Sequence, residues 1–423
     1  MHSFVVEGFS GKARLEGEVA IPGAKNAALP LLAAALVVPG ETQFSNVPAI
    51  TDVDAMSTLL ESVGAYVTCN GGTCSVRAHD VAGSVLDATT AKRLRASILL
   101  VGAVLARTGT VTFPHPGGCV LGSRPIDLFV DGFEKLGCTV SEEKETYTIT
   151  APHGIQGGEI FFRTMSVTAT ETFIIAATAA SAPVTLKNCA MEPEIEETAS
   201  FLKRCGARIE GAGTPTIVVY PSHLEALKEA TPVLADRIAA GSFLIFGAAL
   251  GKDVSIVNAN AKHVEALIEA LREMGVSVTV SENTLHVSRP QKLLPLNIRT
   301  HEYPGFPTDL QAPMAVLLTQ AEGESSVLET VFDGRLNYTQ ELVRMGANIS
   351  VVNPHKALIK GPTALKARDI DGPDIRAGLA FLLAAALADG TSNIGNAHLI
   401  DRGYEDIEQK LKNLGLSIKR LSV

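Results

Sequence analysis

Hydrophobic positions along the 423-residue chain fall into two alternating kinds of segment. The first kind is amphipathic, ends in a glycine and runs into a β-like stretch: LLESVGAYVTC, FEKLGCTVS, FLKRCGARIE, LREMGVSVTV, LVRMGANISV and LKNLGLSIKR. Their glycines are Gly64, Gly137, Gly206, Gly275, Gly346 and Gly415, spaced 69 to 73 residues apart. Each copy predicts a surface helix, a glycine just past its C-terminus where the chain needs a positive φ, and a strand. The second kind is apolar almost throughout: GAKNAALPLLAAALV, RASILLVGAVLA, SVTATETFIIAATAA, DRIAAGSFLIFGAAL, TDLQAPMAVLLTQ and DIRAGLAFLLAAALA. A helix apolar on every side is a buried helix, and small residues let such helices approach closely. β-branched stretches such as TVTF, VTLKN and VSIVN follow them. A period of about 70 residues holding two helices and several strands is too large for a solenoid repeat.

Six units divide as three plus three. The expected fold is α/β, in two similar domains of three repeats, each with buried helices and outer sheets. The first domain is expected at 23–231, since the third unit ends near Tyr220 to Thr231. The second takes 232–423 together with 1–22, whose strand lacks a unit of its own and is expected to complete the second domain's sheets. Chain length agrees, because cores stop growing well below this size and chains split into domains.

Composition narrows the partners. A formal charge of −9 argues against nucleic acid, which demands a basic surface. The longest apolar run, Asn26 to Val38, falls short of the roughly 20 residues of a membrane span. The N-terminus has no secretory pattern. The six cysteines are scattered; only Cys69 and Cys74 lie close, and they make neither a zinc pattern nor a disulfide framework. A reducing cytoplasm is the expected setting, for a monomer or weak oligomer.

The chemistry begins at the buried helices. Their N-termini already carry partial positive charge, yet Lys25, Arg95, Arg237 and Arg376 stand there. One such cation reads as the partner of a nearby acid, such as Asp236 or Asp374. Four at equivalent positions favour an anionic ligand, because helix N-termini with Arg and Lys bind phosphate. Asp309 opens the fifth buried helix, where Thr308 as N-cap and an acid in the first turn also account for the pattern. Thr168 with Glu171, after Ser166, makes a capping-box spacing. The segment from Pro114 to Pro125 is a Gly/Pro loop carrying Cys119 beside Arg124, a setting that lowers a thiol pKa. His115 and His301 lie in no pattern.

Several segments together carry a resemblance: GAKNAALP at Lys25, RAS at Arg95, PGGCVLGSRPIDL around Cys119, FPTDLQ at Asp309, ETVFDGR at Arg335, DIRAG at Arg376 and DRGYE at Arg402. Across its length the chain resembles the enolpyruvyl transferases, in their UDP-N-acetylglucosamine branch. The resemblance implies a two-domain inside-out α/β barrel with the active site in the interdomain cleft. It implies transfer of enolpyruvate from phosphoenolpyruvate to the 3-hydroxyl of UDP-N-acetylglucosamine, the first committed step of peptidoglycan synthesis, with no metal or organic cofactor. Lys25, Arg95, Arg124 and Arg402 would hold phosphoenolpyruvate. Asn26, Arg95, Arg124, Pro125, Asp127, Leu128, Phe129, Ser166, Val167, Thr168, Asp309 and Val331 would contact the acceptor. Cys119, Asp309 and Lys25 would be catalytic, Cys119 being the thiol that fosfomycin alkylates. Arg335 and Arg376 would act on domain closure.

Four positions depart from that family: Phe129 where His is usual, Thr164 for Lys, Thr168 for Gly and Ala239 for Glu. In one reading they are drift, with Phe129 stacking on uracil and Thr168 capping its helix. In the other the acceptor is a different nucleotide or nucleotide sugar. The shikimate-pathway transferase, a silent nucleotide-binding relative and an RNA-end-processing enzyme are the alternatives of related architecture. The Cys119 loop, the intact charged residues and the acidic composition, in that order, speak against them.

Overall fold

The computed structural model of the chain describes residues 2–117 and 126–422. Cys119, Arg124 and Pro125, among the expected site residues, lie outside the described residues. The six apolar segments form helices at Lys25–Ala35, Leu99–Thr108, Val167–Ala177, Arg237–Leu250, Gln311–Leu318 and Ile375–Leu387. Nearly all their residues are shut off from solvent. The amphipathic segments form helices at Thr51–Ser62, Asp127–Lys135, Pro193–Arg204, Glu265–Glu273, Thr339–Arg344 and Ile407–Asn413. All six glycines that follow them have positive φ, between 79° and 108°. A side chain there would meet the steric penalty that makes this conformation a glycine position.

The chain divides into two units: one holds the residues up to Pro22 and those from Ala235 onward, the other the described residues from Gly23 to Leu234. Each has its own hydrophobic core. Within each, the three buried helices pack on one another. Small residues make the contact possible: a Cβ on Gly102 would lie 2.5 Å from the carbonyl oxygen of Thr172 on the neighbouring buried helix. A buried Leu or Ile is worth about 1.5–3 kcal/mol, so these helices are held by packing.

Four of the six buried helices join two parallel β segments, the connection that parallel pairing requires. Gly158–Phe161 precedes the third helix and pairs parallel with Val184–Lys187 after it. Asn297–Arg299 pairs in the same way with Gly323–Leu328, and Ile370–Asp371 with Thr391–Gly395. An isolated bridge from Val85 to Thr112 spans the second helix. The remaining two exchange leading strands. Leu15–Ala20 precedes the first buried helix but pairs with Gly251–Val257, after the fourth. Thr231–Pro232 precedes the fourth but pairs with Glu41–Ser45, after the first. Strand His2–Glu7 lies between Thr391–Gly395 and Ser417–Ser422, antiparallel to both, with the Arg420 guanidinium 4.5 Å above the Phe4 ring. Among the described residues there are five four-stranded sheets and one of three strands.

Two local expectations change. Cys69 and Cys74 are bonded to each other across the hairpin of Tyr66–Asn70 and Thr73–Arg77, where they are register partners. The sequence reading left them as scattered cysteines; strand pairing is what brings the sulfurs together. The capping of the third helix belongs to Ser166, whose hydroxyl accepts from the Ala169 N–H at 3.2 Å, and not to Thr168. Glu171 points into the core instead of back to a cap. Burial first, then Glu194 and Glu192, pushes its pKa well above the usual carboxylate value. No helix among the described residues is long and apolar enough to cross a membrane.

Candidate functional site

The densest charged constellation surrounds Asp309 in the unit that begins at Ala235. A turn of 3-10 helix, Thr308–Leu310, leads into the fifth buried helix and presents Asp309 at its middle position. Two arginines grip the carboxylate. Arg335 Nη2 donates to Oδ1 at 2.9 Å; Arg376 donates to Oδ2 through Nη2 at 2.8 Å and Nε at 3.0 Å. Arg335 and Arg376 are only 4% and 6% exposed, while the Asp309 side chain is 27% exposed. Burial opposes the charge on Arg376, but Asp309 outweighs it, and the guanidinium pKa is raised.

Both guanidiniums retain spare capacity. The buried Nη1 of each finds no hydrogen-bond acceptor among the described residues. Arg376 lies 5.2 Å from the Tyr404 ring, and the Tyr404 hydroxyl is 3.0 Å from Ser242 Oγ on the fourth buried helix. Arg335 lies 5.3 Å from the Phe332 ring. Asp236 and Asp374, which the sequence offered as arginine partners, cap helices: each accepts two backbone N–H bonds at its helix start, and the Asp236 charge also supports that of Arg376. Thr308 is not an N-cap either; its hydroxyl donates to Glu329. Val331 contributes its N–H to Glu329 Oε1 at 2.9 Å. Arg402 is half-buried in the turn after helix Ala397–Ile400 of the same unit.

The other unit holds a second group. Lys25 is the first residue of its helix, and its Nζ lies 3.4 Å from Asp52 Oδ2 at the start of Thr51–Ser62. Asn26 follows it, half-buried. Arg95 opens the 3-10 turn Arg95–Ile98 and donates to the Pro116 carbonyl at 3.2 Å. It thus fastens Pro116, close to the end of the described residues that precede Cys119 in sequence. Asp127 is the exposed first residue of its helix, with Leu128 half-buried beside it. Ser166, Val167 and Thr168 are half-buried at the start of the third buried helix.

Phe129 requires a correction. Its ring is 2% exposed and stacks at 6.4 Å on Phe173 in the core. Gly132, one turn on, leaves the space that the Phe173 ring fills. A ring held there does not offer a face to a base, so stacking on uracil does not describe it. Thr164 is exposed and uncharged, while its neighbour Arg163 pairs with Asp131 at 2.7 Å. Ala239 is buried, its N–H bonded to Asp236. No group of three or more His, Cys, Asp or Glu among the described residues is placed to hold a metal.

The family model for EPSP synthase (3-phosphoshikimate 1-carboxyvinyltransferase) matches residues 9–411. The chain belongs to this enolpyruvyl transferase family. Within it, a UDP-N-acetylglucosamine 1-carboxyvinyltransferase from Desulfatibacillum aliphaticivorans is 40% identical over 422 residues, covering 100% of both chains. A UDP-N-acetylglucosamine 1-carboxyvinyltransferase 2 from Carboxydothermus hydrogenoformans is 41% identical over 425 residues, again covering 100% of both. Among solved enolpyruvyl transferases, NikO from Streptomyces tendae has the same fold, with a TM-score of 0.89 at 22% identity over 100% of this chain and 99% of that one. EPSP synthase from Acinetobacter baumannii is more distant, with a TM-score of 0.74 at 17% identity and full coverage of both chains.

Sequence reasoning named Asp309, Arg335 and Arg376 singly. It missed Glu329 and Tyr404, although both lie inside quoted segments, ETVFDGR and DRGYE. Nothing in a linear pattern separates a buried carboxylate that ties two turns from an exposed one.

Proposed function

We propose that this enolpyruvyl transferase moves the enolpyruvyl unit of phosphoenolpyruvate to the 3-hydroxyl of UDP-N-acetylglucosamine and releases phosphate. The observation that carries the reading is Asp309, bonded by two buried arginines in a chain about 40% identical throughout to relatives of that name. Phosphoenolpyruvate carries a phosphate and a carboxylate, and Lys25, Arg95, Arg124 and Arg402 are the cations that hold it in one pose. Asn26, Asp127, Leu128, the turn from Ser166 to Thr168 and the Val331 backbone receive the nucleotide sugar. Phe129 takes part through its main chain alone.

Addition comes first. An acid, Cys119, gives a proton to the methylene carbon of phosphoenolpyruvate, and the acceptor oxygen bonds to the neighbouring carbon as Asp309 takes the hydroxyl proton. The product is a tetrahedral ketal. Elimination then returns a proton from the new methyl group to the Cys119 sulfur, reforms the carbon–carbon double bond and breaks the bond to phosphate, which leaves as inorganic phosphate. The spare Nη1 groups of Arg335 and Arg376 suit the negative charge that these steps bring to Asp309's neighbourhood. As an arginine turns toward such an anion, Asp309 loses part of its counter-charge and becomes the stronger base. The two three-repeat domains, 23–231 and 232–423 with 1–22, as an inside-out barrel pair that closes over the substrates, belong to the same proposal. So do a cytoplasmic location and a monomer or weak oligomer.

Phosphate release from phosphoenolpyruvate with UDP-N-acetylglucosamine tests it, with Cys119→Ala alongside. Turnover by the parent and its loss in the variant is expected. An altered acceptor is the second reading, favoured by the buried Phe129 ring and the uncharged Thr164. It predicts phosphoenolpyruvate binding without turnover until another nucleotide or nucleotide sugar is supplied.

A further inference from the structure

Glu329 has no place in the chemistry above, yet it is the most completely buried carboxylate near Asp309, at 0% exposure. Burying a charge costs several kcal/mol unless donors surround it. Here they do. Thr308 Oγ1 donates to both carboxylate oxygens, at 3.0 Å to Oε1 and 2.9 Å to Oε2. The N–H groups of Val331 and Phe332 donate to Oε1 at 2.9 Å and 3.1 Å. Glu329 is itself fixed through its own N–H to the His355 carbonyl at 2.8 Å, and Thr330 N–H is held by Thr300 Oγ1 at 2.9 Å.

These bonds join two segments that each carry half of an ion pair. Thr308 is the residue before Asp309, and Val331 and Phe332 immediately precede the turn at 333–338 that carries Arg335. We propose that Glu329 is a positioning residue of the transfer reaction, its carboxylate setting the separation between Asp309 and Arg335. The kinetic part of this inference rests on the reading of Asp309 given above. A glutamine keeps one acceptor oxygen for the Val331 and Phe332 N–H groups but turns an NH2 donor toward Thr308, whose hydroxyl must then accept instead of donate, so the link to the Asp309 turn is altered. A carboxylate that only capped a local turn would need the Val331 and Phe332 bonds but not Thr308.

The test uses the full-length protein with Glu329→Gln, Thr308→Val and Thr308→Ser. Thr308→Val cuts only the link to the Asp309 turn; Thr308→Ser keeps the hydroxyl. The first readout is the carboxyl ¹³C titration of Asp309, assigned by its disappearance in Asp309→Asn. With Arg335 displaced, Asp309 loses counter-charge, so its midpoint moves to higher pH in Glu329→Gln and Thr308→Val and returns in Thr308→Ser. The second is a split in kinetics: kcat falls about 10- to 100-fold, the scale of a misplacement of about 1 Å, while KM for phosphoenolpyruvate changes little. An unmoved Asp309 midpoint in folded Thr308→Val overturns the proposal, whatever happens to thermal stability. Absence of turnover in the parent overturns the functional reading instead, and leaves the titration to decide the role of Glu329.

Discussion

Replacing Asp309 with asparagine leaves the shape of the cluster and removes the negative charge bonded to both buried guanidiniums. A carboxylate placed solely as an exposed base would cost activity and nothing else. This one accepts from Arg335 Nη2 and from Arg376 Nη2 and Nε. A net hydrogen bond to a charged group is worth about 1.5–3 kcal/mol, and depriving a buried ion of its partner costs about 3–5 kcal/mol. Asp309 is 27% exposed and water partly replaces it, while the asparagine oxygen still accepts one bond. The expected loss is therefore about 2–3 kcal/mol of unfolding free energy, smaller than a fully buried pair would give. In a unit of this size that is about 4–12 °C in Tm. Thermal and denaturant unfolding of the parent, Asp309→Asn, Arg376→Met and the double variant measure it. Methionine fills the guanidinium's space without its charge, so the double variant should recover at least about 1 kcal/mol over the sum of the single changes. Phosphate release should fall about 10²- to 10⁴-fold in Asp309→Asn if it is the general base. An Asp309→Asn protein that unfolds with the parent, or strictly additive energies in the cycle, would refute the buried-triad argument.

Glu197 supplies a pH test. Burial raises its pKa to about 8 against the Leu234 N–H that lowers it, with Glu194 adding to the rise. The folded chain therefore keeps a proton that the unfolded chain releases near 4.5, and stability falls as pH climbs from there through about 8. Glu197→Gln should flatten that fall and stabilise by on the order of 3–5 kcal/mol at pH 8 and above, read as unfolding midpoints across the range. Gly102→Ala should destabilise by about 1–3 kcal/mol, since the new methyl meets the Thr172 carbonyl oxygen at 2.5 Å; an unchanged Tm would mean the two helices separate freely. Fosfomycin should add one molecule to Cys119 and stop phosphate release, and intact-mass spectrometry of Cys119→Ala should show no adduct.

The repeat grammar was legible in the sequence because its causes are local. An apolar run long enough for three turns has to be buried, and a positive φ selects glycine, so the six buried helices, the six amphipathic ones and the six glycines from Gly64 to Gly415 follow from spacing. The residues of the Asp309 cluster were also visible one at a time, since each stands in a distinct short motif. Their mutual arrangement was not. Arg376 lies 67 residues from Asp309, and the acid two residues before it, Asp374, caps its helix.

Tertiary structure alone decided which acid each arginine faces, because Asp374 next to Arg376 satisfies backbone N–H groups at shorter reach than any side chain. It decided that Phe129 joins Phe173 in the core, a matter of the space Gly132 leaves. It brought Cys69 onto Cys74 through strand register, and it exchanged Leu15–Ala20 and Thr231–Pro232 between the first and fourth buried helices. Sequence determines the elements, through periodicity and backbone conformation that depend on near neighbours. Pairing of strands and charges depends on distances closed only when the helices have packed, and no local pattern encodes them.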